Sequence, residues 1–127
     1  MSFNHVVVWI DHAKAHIIHF NAEAAENEMV SAHSTHPHLH SKTGMVGSKK
    51  APEDVHYFND VVNAIKESLE ILVVGPGHEK LEFMKYLLKH HHLIAEKVLS
   101  VETVDHPTDG QLLKIARKYF ARADLMR

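Results

Sequence analysis

The sequence predicts a single α/β domain in which a mixed sheet carries helices on both faces. Three observations lead there. Two short runs rich in β-branched residues, HVVVWI at residues 5 to 10 and ILVV at residues 71 to 74, have almost no polar positions, as strands covered on both faces require. The first run is followed after three residues by another strand-like run, a spacing that only an antiparallel hairpin accommodates. In the second half of the chain, strand-like runs alternate with segments of helical period, the pattern of parallel crossovers. With 127 residues, 45% of them hydrophobic and 24% charged, the chain suits one ordinary core.

Taken in order, His5 to Ile10 is the expected central strand, Asp11-His12-Ala13 supplies turn chemistry, and Lys14 to Phe20 is the returning strand. Glu28 to Ser34 (EMVSAHS) reads as a polar edge strand, with residues 21 to 27 as its turn. Thr35 to Ala51 has no sustained period and holds Pro37, Gly44 and Gly47, so a long loop is expected; a loop of that length usually has a function of its own. Pro52 followed by Glu53 and Asp54 suits a first helical turn. Val55, Phe58, Val62, Ile65 and Leu69 continue it as one apolar stripe ending near Ser68. Gly75-Pro76-Gly77 ends the second buried strand ahead of a helix carrying Leu81, Met84, Leu87 and Leu88, with His90, His91 and His92 at its frayed end. Val98 to Val104 is a further strand. Thr108 is then an N-cap for a last helix marked by Leu112, Ile115, Ala116, Tyr119, Phe120 and Ala123.

The absence of cysteine removes disulfide scaffolds, thiol nucleophiles and thiolate zinc sites together. No apolar run approaches the ~20 residues of a membrane span, and the opening segment lacks a basic n-region, so a cytoplasmic protein without a membrane partner is expected. The formal charge of −2 argues against a strongly basic nucleic-acid binder on average, yet 14 histidines make that average depend on pH. The distribution is more informative. From Met29 to Pro52 there is no Asp or Glu, while the segment carries His33, His36, His38, His40, Lys42, Lys49 and Lys50. One locally positive stretch is thereby set on a near-neutral body.

Four constellations could carry chemistry. In VVGPGHEKLEF, residues 73 to 83, glycines at the mouth of a buried strand leave backbone amides open to phosphate at a helix N-terminus, with His78 and Lys80 as added donors. The competing reading is that Gly75 and Gly77 only permit a tight turn at positive φ. The second is the set His33, His36, His38 and His40, whose imidazoles could hold zinc, although no carboxylate lies near in sequence to complete the site. Third, Lys114, Lys118 and Arg122 form a basic stripe on the last helix, with Arg117 on the adjoining line. Together with Lys42, Lys49 and Lys50 it could meet RNA phosphates, though such stripes are commonly only solvated. Fourth, Asp11, Asp105 and Asp109 are the carboxylates that a two-metal nuclease would want at strand ends. Neither a Walker A sequence nor a GxSxG elbow is present, so catalysis is not expected.

The segment VVGPGHEKLEFMKYL resembles the strand-turn-helix of the middle domain of Pelota and of the eukaryotic and archaeal class one release factors, where a PGF-x-K-x-x-F pattern follows a buried strand. Pro76, Gly77, Lys80 and Phe83 match, and His78 stands where the aromatic residue would be. The opening VVWIDHAKAHIIHF looks like the first hairpin of that domain and of the bacterial release-factor-like and host-attachment-type proteins. The resemblance implies the ribonuclease-H-like fold of translational machinery components: five strands in the order 3-2-1-4-5, strand 2 antiparallel. It also implies a ribosome or RNA as partner, with a separate chain or a homo-oligomer standing in for the family's other domains. Release factors place Gly-Gly-Gln in the long loop after the third strand. Here Gly44 and Gly47 are separate and the chain's one glutamine is Gln111, so peptidyl-tRNA hydrolysis of that kind does not carry over. The expected function is therefore non-catalytic binding of ribosome, tRNA or other RNA. The alternatives are a metal-binding or pH-responsive protein using His33 to His40, and a carboxylate-dependent nuclease.

Overall fold

The computed structural model describes residues 3–32 and 55–125, and the side chains as far as residue 123. Five strands and four helices follow one another as β1 (His5–Ile10), β2 (Lys14–Phe20), β3 (Ala25–Ser31), α1 (Val55–Ile65), β4 (Glu70–Gly75), α2 (Glu79–His90), α3 (His92–Ala95), β5 (Val98–Thr103) and α4 (Asp109–Leu125). The sheet order is β3-β2-β1-β4-β5. β2 runs antiparallel to both β1 and β3, whereas β1, β4 and β5 are mutually parallel, as the sequence leads one to expect.

The alternation of strand side chains divides the core in two. Val6, Val8, Ile10, Ala15, Ile17, Ile71 and Val73 pack under α1 and α2. Val7, Trp9, Ile18, Phe20, Leu72 and Val74 face α4 on the other side of the sheet. β1 and β4 are thus buried on both faces, which is why their sequences are unbroken apolar runs; each such side chain contributes on the order of 1.5–3 kcal/mol.

Both hairpin turns are built alike. The carboxylate Oδ1 of Asp11 accepts the amides of Ala13 and Lys14 at 2.8 and 2.9 Å, and Oδ1 of Asn21 accepts those of Glu23 and Ala24 at 2.9 and 2.8 Å. These side-chain turns close each reversal in four residues. The second corrects the expected edge strand: because Asn21 completes the turn by Ala24, β3 starts at Ala25 and pairs with β2 over its whole length, not from Glu28.

The helices also shift from expectation. α1 ends at Ile65, and Leu69 lies beyond it, exposed, its amide bonded to the Asn4 carbonyl at 2.9 Å. In α2 the buried face is Lys80, Phe83, Tyr86 and Leu87, leaving Leu81 and Leu88 exposed. Aromatic packing sets that face, with Phe58 5.4 Å from Phe83 and 5.3 Å from Tyr86 between ring centroids. The three consecutive histidines do not fray. α2 stops at His90, the chain bends at His91, and His92 opens the short α3. Ile115 is exposed on α4, where Leu112, Ala116 and Phe120 make the core contact. Thr108 is the expected N-cap: its Oγ1 accepts the Gln111 amide at 3.1 Å, and Gln111 Oε1 accepts the Thr108 amide at 2.9 Å, a reciprocal capping box that occupies the chain's one glutamine.

Candidate functional site

Where β1 and β4 end side by side, the chain leaves in opposite directions: β1 turns back into β2, and β4 crosses through α2 to β5. In an open α/β sheet this divergence creates a crevice beyond the strand ends, the usual place for a ligand. Here it is a cavity of about 420 Å³ lined by Asp11, His12, Pro76, Gly77, His78, Glu79 and His106. Three separate loops each contribute one imidazole: His12 from the β1–β2 turn, His78 from the turn before α2, and His106 from the segment before α4.

The two glycines at this crevice do different work. A Cβ on Gly75 would fall on the Ile10 carbonyl oxygen of the neighbouring strand, so only glycine lets β4 approach β1 there. Gly77 meets nothing within 4 Å, and neither glycine has the left-handed φ expected of a tight turn. The backbone accordingly places no demand for glycine at position 77, and the missing side chain leaves the crevice wall open.

Lys80, expected to reach outward, is turned in instead. It is 7% exposed, and its Nζ donates to the Gly77 carbonyl at 2.6 Å. Its ammonium holds the lip of the crevice, a positioning role that helical spacing could not reveal. His78 occupies the N-cap position of α2 without a side-chain capping bond. Asp11 is consumed by its own turn through Oδ1, while its carbonyl accepts the Tyr57 hydroxyl of α1 at 2.8 Å. His106 is set by Asp105, Nδ1 to Oδ1 at 2.8 Å, and lies 5.2 Å from the Trp9 ring, whose Nε1 donates to the Asp105 carbonyl at 2.6 Å.

The three aspartates of the nuclease reading do not converge. Asp11 serves its turn, Asp105 holds His106, and Asp109 pairs with His16 at 3.1 Å and accepts from Asn27 at 3.4 Å. Among the described residues no group of three or more His, Cys, Asp or Glu side chains is placed to hold a metal ion. His33, His36, His38, His40, Lys42, Lys49 and Lys50 lie outside the described residues. The described flanks of that segment nevertheless locate where it leaves and rejoins the domain. The Ala32 amide donates to the Ala13 carbonyl at 2.8 Å, and Tyr57 is bonded to Asp11, so both flanks are fastened to the β1–β2 turn beside the crevice.

The basic stripe on α4 runs away from this end. α4 begins near His16 and passes Phe120, which lies 4.5 Å from His5 at the start of β1. Lys114, Lys118 and Arg122 are exposed, but Arg122 is roughly 20 Å along the axis from the helix start. Arg117 is committed elsewhere: Nε and Nη2 donate to the carbonyls of Asn21 and Ala24 at 3.1 and 3.3 Å and clamp the second hairpin turn. His12 and His106 were missed by sequence reasoning, since they lie far apart in the chain and only the topology brings them to one crevice.

No protein-family model matches the chain, and no curated protein matches it in sequence. Its fold, however, is that of a domain found in Pelota and archaeal release factor structures. Pelota of Archaeoglobus fulgidus superposes with a TM-score of 0.63 at 15% identity over 93% of this chain and 32% of its own. The archaeal translation termination factor aRF1 gives 0.55 at 12% identity over 95% and 40%. Dom34 of Saccharomyces cerevisiae, a translation termination-like factor involved in RNA quality control and interacting with Hbs1, gives 0.52 at 12% over 97% and 38%. The chain spans about a third of the length of the structures it matches.

Proposed function

We propose that this domain works in translation as a non-catalytic binder of ribosomal or other RNA, and that it meets phosphate at the carboxyl end of its sheet. One observation carries the reading: the acid-free segment from Met29 to Pro52 starts on β3, where the Ala32 amide is bonded to the β1–β2 turn, and is followed by Tyr57, bonded to the same turn beside the crevice that three further imidazoles line. Lys42, Lys49 and Lys50 belong to that segment and are the cations this reading assigns to phosphate. The shared fold with factors described as acting in translation termination and RNA quality control supports the same direction. On this reading its partner is the ribosome or another RNA. The sequence has no Gly-Gly-Gln, so peptidyl-tRNA hydrolysis by that tripeptide forms no part of the proposal.

Ribosome co-sedimentation and RNA binding across a salt series test it. Replacing Lys42, Lys49 and Lys50 by glutamine should weaken binding to unrelated sequences about equally and lower the salt slope by roughly one unit per lost contact. Lys114, Lys118 and Arg122 form a second patch whose neutralisation should act independently of the first. Unchanged affinity after the triple loop substitution would remove the sheet end as the RNA surface.

A further inference from the structure

We infer that the crevice between the β1–β2 turn and the start of α2 is a binding site for a single nucleotide, holding its phosphate by imidazole and its ribose or base by carboxylate. The inference rests on the phosphate-binding reading of this sheet end and goes beyond it by naming a built pocket and the unit that fits it. Backbone-tracking contacts need only exposed cations; a site for one nucleotide needs a concave space with donors and acceptors together.

The crevice meets that requirement. Its volume of about 420 Å³ is in the range of small-molecule sites. His12, His78 and His106 enter from three different loops, so no single turn's local geometry explains their meeting. Imidazole can donate to a phosphate oxygen, and its ring can also lie against a base. Asp11 and Glu79 also line the crevice. Both would repel a bare anion, but Oδ2 of Asp11, which its turn does not use, can accept hydrogen bonds from ribose hydroxyls or an exocyclic amine, groups that a nucleotide has and inorganic phosphate lacks. Gly77 supplies an independent indication. Its backbone does not require glycine and nothing lies within 4 Å of where a Cβ would be, so a side chain at this lining position would take up space that is now open. Lys80 fixes the carbonyl of that same residue, which keeps the lip in place without occupying the space.

The experiment uses AMP, adenosine and inorganic phosphate as probes on the full chain. The chain's only tryptophan, Trp9, lies against His106 and reports on the site by fluorescence, with calorimetry as the second readout. AMP should bind saturably, about tenfold or more tighter than either adenosine or phosphate. Gly77→Val should leave the melting temperature unchanged and weaken AMP by about tenfold or more. His12→Ala, on another loop, should weaken it several-fold, which keeps the test open if Gly77→Val misfolds. Absence of saturable AMP binding overturns the inference, as does phosphate or adenosine binding as tightly as AMP, or a well-folded Gly77→Val that binds AMP unchanged. RNA binding is measured in parallel: AMP indifference with RNA affinity intact sinks the pocket alone, whereas loss of both would sink the wider phosphate reading as well.

Discussion

At the amino end of β1, His5 is half-buried, stacked on Phe20 at 5.7 Å, tilted against Phe120 at 4.5 Å, and bonded through Nε2 to Glu70 at 3.0 Å. At the carboxyl end of the same sheet, His12, His78 and His106 are exposed and open on one crevice. The first imidazole is a packing element whose ring and nitrogen are used by the fold. Of the other three side chains, that of His106 has described partners, in Trp9 and Asp105. The contrast separates histidines that hold the domain together from histidines that the domain presents. It also explains why histidine count by itself says little about function: placement relative to the strand ends decides the role.

The sharpest way to break this comparison is at the glycines. Gly75→Val forces a side chain onto the Ile10 carbonyl, a backbone atom held in place by the pairing of Ile10 with Ala15 in the β1–β2 hairpin. It should destabilise the domain by about 3 kcal/mol or more, seen as loss of the cooperative thermal transition. Gly77→Val, two residues on, should stay within roughly 0.5 kcal/mol of the parent. Comparable losses at both positions would mean the crevice wall is part of the packed core after all.

Next in size is the amino end. His5→Ala removes a ring from between two phenylalanines and leaves Glu70 without that partner, so a loss of about 1–3 kcal/mol is expected in denaturant unfolding, with RNA affinity unchanged. His12→Ala should do the reverse, sparing stability and weakening binding. If His5→Ala altered RNA affinity as much as stability, the division between the two ends would fail.

How much of this was legible in the sequence follows from what each feature depends on. β1, β4 and the order of elements were readable because strands buried on both faces must be continuous apolar runs. The Thr108 cap was readable because capping chemistry is local. The start of β3 was not: AENEMVS has little strand character, and it pairs because Asn21 closes its turn early and β2 offers a long partner. Leu81 and Leu88 are exposed because two aromatic residues, Phe83 and Tyr86, fix the buried face of α2, which the spacing of its leucines does not show. At the candidate crevice, Gly77 and His78 belong to one contiguous motif, so their place together is legible in the sequence. The place of His12 and His106 is not, since their meeting is a property of the sheet order and of nothing within either local segment.

A smaller effect is expected where α4 ties the second hairpin. Arg117 makes charge-assisted bonds to two backbone carbonyls in a partly exposed setting, so Arg117→Ala should cost about 1 kcal/mol. Hydrogen exchange should show the increase in opening confined to residues 21–31, because β1 and β2 keep their own pairing and both cores stay closed. Equal loosening of β1 would show that the clamp supports the whole sheet.

The smallest expected change tests the histidines of the acid-free segment collectively. Imidazoles gain positive charge as pH falls toward 6, so a surface using them against phosphate binds RNA more tightly in that direction. The sign is fixed by the protonated form being the better partner, and each added cation acts mainly through counterion release. The gain between pH 7.5 and 6 should be only a few-fold, alongside a steeper salt slope. Replacing His33, His36, His38 and His40 together should flatten most of that dependence while leaving the high-pH affinity to Lys42, Lys49 and Lys50. His5→Ala should leave the dependence as it is, because that ring is enclosed by Phe20 and Phe120 at the far end of the sheet. A pH dependence that vanished with His5 and survived loss of the loop histidines would reverse the roles assigned to the two ends.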